Sequence, residues 1–274
     1  MRDGTASETA RRVAAHRRSC PRVRAVGRPH DDEALLADVA ADIEVREGRM
    51  HRYLCRRTSF FDRVVVDALD WGVCQVVLVG AGYDGRAMRY ARPGVTWFEV
   101  DHPATQADKL ERISRLGLST DGIAFAPVAL TVDDVAASLV AAGGIATAPS
   151  LLVVEGLASY LDEDVLGATL ASLRALAHGT SMLAVSVGLE RSDHDVGAAA
   201  RVAAFEGAVA SMGEPIGNRL SVEALDDLLG RAGWRRIDDD THDTLGGADG
   251  RLGLLVAVPL KPACDVRSGG DSST

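Results

Sequence analysis

One stretch constrains the fold of this 274-residue chain more than any other, and it runs from Gln75 to Lys109. It reads Gln75-Val-Val-Leu-Val-Gly80-Ala-Gly82-Tyr-Asp84-Gly85-Arg86-Ala-Met-Arg89, then Val95-Thr-Trp-Phe-Glu99-Val-Asp101-His-Pro103, then a polar helix carrying Lys109. An unbroken aliphatic run stopping at glycines is a strand covered on both faces that turns sharply into a helix. A second apolar run ending in acids is the next strand. Together they form one βαβ unit, which places a nucleotide-sized ligand at the carboxyl ends of its strands.

The alternation continues downstream. Strands are expected at 75–80, 95–100, 122–128, 150–155 and 181–187, with helices at 85–91, 104–116, 132–142 and 162–178. Runs such as Leu151-Leu-Val-Val154 have no polar face, so the expected architecture is α/β with a doubly wound parallel sheet. An Ala-rich helix at 194–212, a Gly/Pro loop at 213–217 and a Ser221-capped helix to Ala232 follow. Residues 234–240 and 251–260 read as two strands whose connection holds no helix, hence antiparallel neighbours and a seven-stranded sheet.

Upstream, a helix capped by Ser7 runs to about Ser19, and Pro21, Gly27 and Pro29 mark a loop. A second helix is expected from Asp31 to about Gly48. Residues 50–57 are mixed, and Thr58–Leu69 carries an apolar stripe of Phe60, Phe61, Val64, Val65 and Leu69. The expected organisation is a single domain over 1–260, with 1–72 a helical lid, 73–260 the core, and 261–274 a disordered tail.

Composition excludes several classes. A net charge of −9 argues against nucleic acid as a partner. The arginines at 11, 12, 17, 18, 22 and 24 are followed by acids and read as a solvated helix face. Cys20, Cys55, Cys74 and Cys264 show no Cys-x-x-Cys spacing, so neither a disulfide framework nor a zinc site is expected, and reduced thiols in the cytoplasm are the default. The seven histidines show no His-Glu-x-x-His, so no metal is expected. No apolar run spans a membrane and no signal h-region is visible. Neither a Gly-x-Ser-x-Gly elbow nor a phosphate-binding Gly-Lys-Ser/Thr occurs.

Gly80-Ala-Gly82-Tyr-Asp-Gly85 satisfies Gly-x-Gly-x-x-Gly, a pattern shared by dinucleotide and methyl-donor sites. Glu99 and Asp101 offer carboxylates to ribose hydroxyls. A pyrophosphate resting on the following helix would meet the negative Asp84, whereas a cationic sulfonium would not. A dinucleotide enzyme would also lack the terminal antiparallel hairpin.

These residues, through Phe98-Glu-Val-Asp-His-Pro103 and Lys109, resemble the leucine carboxyl methyltransferase family, whose bacterial branch includes polyketide O-methyltransferases. Ser7-x-Thr9-Ala10, Arg57-Thr58-Ser-Phe-Phe-Asp62 and Leu151-Leu-Val-Val-Glu155-Gly156-Leu-Ala-Ser-Tyr160-Leu161 resemble three further family motifs, so the likeness runs from about residue 7 to the last hairpin strand. The resemblance implies a Rossmann-like class I methyltransferase using S-adenosyl-L-methionine. Arg57 would pair with the methionine carboxylate of the donor, Gly80, Ala81 and Gly82 would pass beneath it, and Asp101 would hold the ribose, leaving Glu99 to brace the strand. Glu155 would face the amino end. Where the family has Asp-Leu after the third strand this chain has Ala129-Leu130, so adenine would rest on the Leu130 backbone; Asp84-Gly85-Arg86 stands for Asp-Thr-Arg.

The implied function is an O-methyltransferase of secondary metabolism that methylates a carboxyl or hydroxyl of a small-molecule acceptor, with no nucleic acid or membrane partner. Tyr160 and Arg191, with His194, are the candidates near the acceptor; no catalytic residue is assigned. The alternatives are an NAD(P)-dependent oxidoreductase and an inactive S-adenosylmethionine-binding protein.

Overall fold

Strands apolar on both faces require helices on both sides of a sheet, and the computed structural model has that layered form. It describes residues 5–131, 133–144, 148–190, 219–237 and 252–260. In chain order the described elements are α1 Glu8–Arg18, α2 Pro29–Val39, α3 Arg49–Asp70, β1 Gln75–Val79, α4 Arg86–Arg89, β2 Thr96–Asp101, α5 Pro103–Leu116, β3 Ile123–Pro127, α6 Val135–Ala141, β4 Ser150–Val154, α7 Glu163–Leu176, β5 Met182–Gly188, α8 Val222–Arg231, β6 Trp234–Arg236 and β7 Leu252–Pro259.

The strands form one sheet in the order β3-β2-β1-β4-β5-β7-β6. β1 pairs in parallel with β2 on one side and β4 on the other, so the winding direction reverses between β1 and β4. That reversal opens a crevice at the carboxyl ends of these strands. β7 runs antiparallel to both β5 and β6, the terminal hairpin expected from the sequence and contrary to the dinucleotide alternative.

Strand alternation divides the core. Val77, Val79, Phe98, Val100, Leu152 and Val154 face α6, α7 and α8. Val76, Leu78, Trp97, Leu151 and Val153 face Phe60, Phe61, Val64 and Val65 of α3. α1 and α2 pack through Ala14, Leu35, Leu36 and Val39 against Tyr83, Met88 and Ile113, and so cover the glycine turn. Ser7 caps α1 by accepting from the Ala10 amide, and Ser221 caps α8 by accepting from Ala224, as the sequence indicated.

Three expectations need correction. α2 ends at Val39 and not near Gly48, because its last apolar residues are Leu35, Leu36 and Val39. It starts earlier too, with Pro29 in the first turn, where the fixed φ suits a helix. α3 begins at Arg49 and not at Thr58: its inward positions include Arg57, Thr58 and Asp62, and buried polar residues mask the apolar period. Finally, Cys20 and Cys55 form a disulfide, with Cα atoms 4.9 Å apart, because the end of α1 folds back beside α3. Cys74 is a free thiol. The helix expected at 194–212, the loop at 213–217 and the tail at 261–274 lie outside the described residues. No helix among the described residues is long and apolar enough to cross a membrane.

Candidate functional site

The glycine turn leaves β1 with Gly80 at φ +70° and Gly82 at φ +51°, in the left-handed region that side chains disfavour. The Gly80 and Ala81 amides both donate to the Val100 carbonyl, at 2.8 and 3.2 Å, which ties the turn to β2. A Cβ on Gly82 would lie 3.0 Å from the Ala10 Cβ of α1, and one on Gly80 would lie 3.1 Å from Leu157. The turn is therefore a floor on which α1 and the loop after β4 pack closely.

Asp101, at the end of β2, faces that floor. One of its carboxylate oxygens accepts from the Gly82 amide and the other accepts from the His102 amide at 2.6 Å. Each oxygen keeps a lone pair for a further donor. Burial pushes the Asp101 carboxyl above its ordinary value, against those two amide bonds. Glu99, two residues earlier on the same face, points elsewhere: it takes Lys109 Nζ at 2.5 Å, and the same ammonium donates to the Asp84 carbonyl at 2.7 Å. Burial raises the Glu99 carboxyl, and Lys109 offsets this only in part. Of the two acids, Asp101 is the one beside the glycine turn.

Glu155, just past β4, is the hub of a buried ion network. Its Oε1 accepts from Arg17 Nη2 and Arg57 Nε, both at 3.0 Å, and its Oε2 from Arg86 Nη1 at 2.5 Å. Arg86 also binds Asp62 at 2.7 Å, Asp84 at 2.5 Å and the Thr58 carbonyl at 3.1 Å. Arg22 closes the far side on Asp62 at 2.6 Å and Asp32 at 3.1 Å. Four guanidiniums with side chains at most 8% exposed thus face the four carboxylates of Asp32, Asp62, Asp84 and Glu155, and a fifth, Arg89, 11% exposed, joins Asp32 at 3.1 Å. Burial alone would raise the Glu155 carboxyl, but Arg86, Arg17 and Arg57 outweigh it and hold it well below the carboxylate range. Burial likewise opposes the Arg57 charge, yet Glu155, then Tyr53 and Tyr160, raise it. Gly156, at φ +70°, has no room for a side chain, since a Cβ would sit 2.8 Å from Arg57 Nη1.

Two readings of charge are corrected by this network. Arg17 and Arg22 are not on a solvated face; Arg17 falls on the buried side of α1 with Ala14, and Arg22 follows in the loop to α2. Asp84 presents no bare negative charge to the turn, because Arg86 and Arg17 neutralise it and its own carboxylate caps the Arg86 amide at 2.9 Å. The argument against a pyrophosphate at that position accordingly loses its force. Arg17, Arg86, Asp62 and Asp84 were not singled out from the sequence as site residues. The helical spacing of Arg17 with Ala10 and Ala14 was the available signal.

Of the residues expected at the site, Arg57, Gly80, Ala81, Gly82, Asp101 and Glu155 converge. Leu130 lies two residues beyond Val128, whose amide donates to the Asp101 carbonyl at 2.8 Å, and it packs against the core. The Ala129 amide donates to Asp133 Oδ2 at 2.7 Å, so an acid supplied from four residues downstream stands beside the position where the family acid is missing. Tyr160 ends a 3₁₀ turn over Ala158–Tyr160, near enough to Arg57 to act on its charge. Arg191 and His194 lie outside the described residues.

A family model described as leucine carboxyl methyltransferase matches residues 8–174. A "Putative S-adenosyl-L-methionine-dependent methyltransferase" of Mycobacterium sp. (strain KMS) is 35% identical over 185 residues, 64% of this chain and 60% of that protein. One with the same description from Mycobacterium avium (strain 104) is 37% identical over 145 residues, 51% of this chain and 46% of the other. The chain thus spans about half to three fifths of the length of these relatives. The solved structure of human N-acetylserotonin methyltransferase in complex with SAM superposes at a TM-score of 0.47 with 13% identity, over 84% of this chain and 60% of that one.

Proposed function

The chain belongs to the leucine carboxyl methyltransferase family, and on that premise we propose that it is an S-adenosyl-L-methionine-dependent O-methyltransferase acting on a small molecule. The observation that carries this reading is the convergence of Arg57, the Gly80–Gly82 turn, Asp101 and Glu155 where the sheet reverses its winding. The cradle fits the donor. Positive-φ glycines clear its floor, Asp101 keeps acceptor capacity for ribose hydroxyls, and a cation and an anion stand together for an amino-acid zwitterion.

Bound there, the donor supplies a methyl group already activated on a sulfonium. Arg57, with Arg17 beside it, holds a carboxylate by charge-assisted hydrogen bonds, while Glu155 accepts from an ammonium. In the present arrangement these side chains satisfy one another, so a zwitterion would enter by exchanging into an existing ion pair, with no net change in buried charge. Leu130, at the edge of the core beyond β3, would offer its backbone and an apolar surface to the adenine. Helices α1 to α3, within residues 1–72, act as a lid on the core at 73–260; Ala10 over Gly82 and the contributions of Arg17 and Arg57 support this. Methyl transfer is an in-line displacement, so the protein's task is alignment and exclusion of water. A carboxylate acceptor needs no base, and a hydroxyl of natural-product type is positioned near Tyr160. The net charge of −9 supports a small-molecule acceptor over nucleic acid.

Titration calorimetry with S-adenosylhomocysteine and, separately, NAD tests the reading. Saturable heat with the first and none with the second is expected. Folded protein that gives no heat with S-adenosylhomocysteine would overturn it.

A further inference from the structure

The disulfide lies within a group of three metal-type donors, Cys20, His51 and Cys55, with His16 against His51 as a fourth beside it, and the proposed reaction uses none of them. Two His-x-x-x-Cys pairs, His16 with Cys20 and His51 with Cys55, face one another across the end of α1 and the start of α3. Within α3 the i, i+4 spacing puts the His51 imidazole and the Cys55 thiol on the same side of the helix one turn apart, while Cys20 lies just past the end of α1. The ligand atoms of Cys20, His51 and Cys55 all lie within 4.8 Å of one another. His16 Nδ1 is 3.2 Å from His51 Nδ1, and Cys55 Sγ is 3.9 Å from that same His51 nitrogen. A tetrahedral zinc site with ordinary bond lengths has nitrogen–nitrogen edges of about 3.3 Å and sulfur–nitrogen edges of about 3.5 Å. The nitrogen–nitrogen edge has the size that a four-coordinate ion requires, and on the sulfur side it is His51 Nε2, 3.5 Å from Cys55 Sγ, that matches.

We propose that, with the cysteines reduced, His16, Cys20, His51 and Cys55 form a two-cysteine, two-histidine site for a divalent cation of the zinc class. The side chains suit that ion. Two thiolates and two neutral imidazoles make a closed structural set. The two imidazole rings lie 5.4 Å apart between centroids and are tilted by 35°, so a nitrogen of each is turned toward the other. Cys20 is buried, and Cys55, His16 and His51 are partly so, which limits competition from water.

The disulfide is then the oxidised, metal-free state of the same four residues. In passing to it, the two zinc-bound thiolates give up two electrons and join as Cys20–Cys55. A low-molecular-weight disulfide accepts those electrons with two solvent protons and leaves as two thiols, and the cation is released to water.

Cobalt(II) is the probe for the test, added to the full chain after reduction with a phosphine and removal of metal. One equivalent should give the intense visible absorption of a tetrahedral thiolate site, and zinc should displace it. Zinc should also protect Cys20 and Cys55, but not Cys74, from iodoacetamide. His51→Ala should weaken zinc binding by at least the roughly 10–100-fold that loss of a ligand's outer partner alone costs. Cys20→Ser/Cys55→Ser should abolish the cobalt spectrum. The proposal is overturned if reduced protein with native circular dichroism shows no tetrahedral cobalt spectrum, if the spectrum survives in the double serine variant, or if zinc leaves the alkylation of Cys20 and Cys55 unchanged. The alkylation arm uses the unaltered chain and so does not depend on the variants folding.

Discussion

Replacing Glu155 by Gln removes one charge at the hub of the network with almost no change in volume. The carboxylate accepts three hydrogen bonds from Arg17, Arg57 and Arg86. A carboxamide has one acceptor oxygen, and its NH₂ must face a guanidinium, donor to donor. The network loses one of its four buried carboxylates while every guanidinium stays in place. Removing one partner of a buried ion pair costs about 3–5 kcal/mol, because the charge left behind is uncompensated. For a chain of this size that corresponds to a melting point lower by roughly 6–20 °C. The pH dependence provides the sharper check. Glu155 is held below its ordinary value of 4.5 in the folded protein, since its three arginines outweigh burial. A group lowered in this way contributes stability above its unfolded value and loses it as the pH falls through the folded one. Urea unfolding of both proteins should therefore show a gap that is constant from about pH 6 to 8 and closes on acidification below the ordinary carboxyl value. A gap under about 1 kcal/mol at neutral pH, or one that widens in acid, would refute the reasoning.

Four further outcomes are expected. Asp101→Asn should weaken S-adenosylhomocysteine binding by about 1.5–3 kcal/mol in calorimetry, as a charged acceptor beside the Gly82 and His102 amides is lost. Gly156→Ala forces a Cβ to 2.8 Å from Arg57 Nη1 at φ +70°, and should cost about 1–2 kcal/mol of stability by urea unfolding while also weakening binding. Lys109→Met leaves Glu99 buried alone with a carboxyl already raised by burial; ionising it then opposes folding, so the loss should grow as pH rises through its folded value and vanish in acid, as melting scans would show. Reducing Cys20–Cys55 in the presence of a chelator opens a loop of 35 residues and should lower unfolding stability by up to about 4 kcal/mol.

The sheet was legible in the sequence because strands such as β1 and β4 are aliphatic at every position, and no other soluble structure buries such a run so simply. The glycine turn was legible for a related reason, since only glycine tolerates the backbone at positions 80 and 82. The first half of α3 was not, because the residues it turns inward include Arg57 and Asp62, which composition alone assigns to the surface. Arg17 was misread for the same reason. Its burial depends on Glu155, 138 residues away, and no local window contains both. Between Glu99 and Asp101 the deciding group was Lys109, whose reach across to β2 is a matter of packing. The pairing of Cys20 with Cys55 likewise follows from how α1 lies on α3, not from their spacing.

The dependence of Arg17 and Arg57 on Glu155 also bears on the order in which a nascent chain can complete itself. The arginines leave the ribosome more than ninety residues before their shared carboxylate, and β4 must pair with β1 before Glu155 reaches its position. The first seventy residues cannot reach their final packing ahead of the sheet, however readily their helices form. The roof of the site thus takes its final form only once β4 has brought Glu155 beneath it.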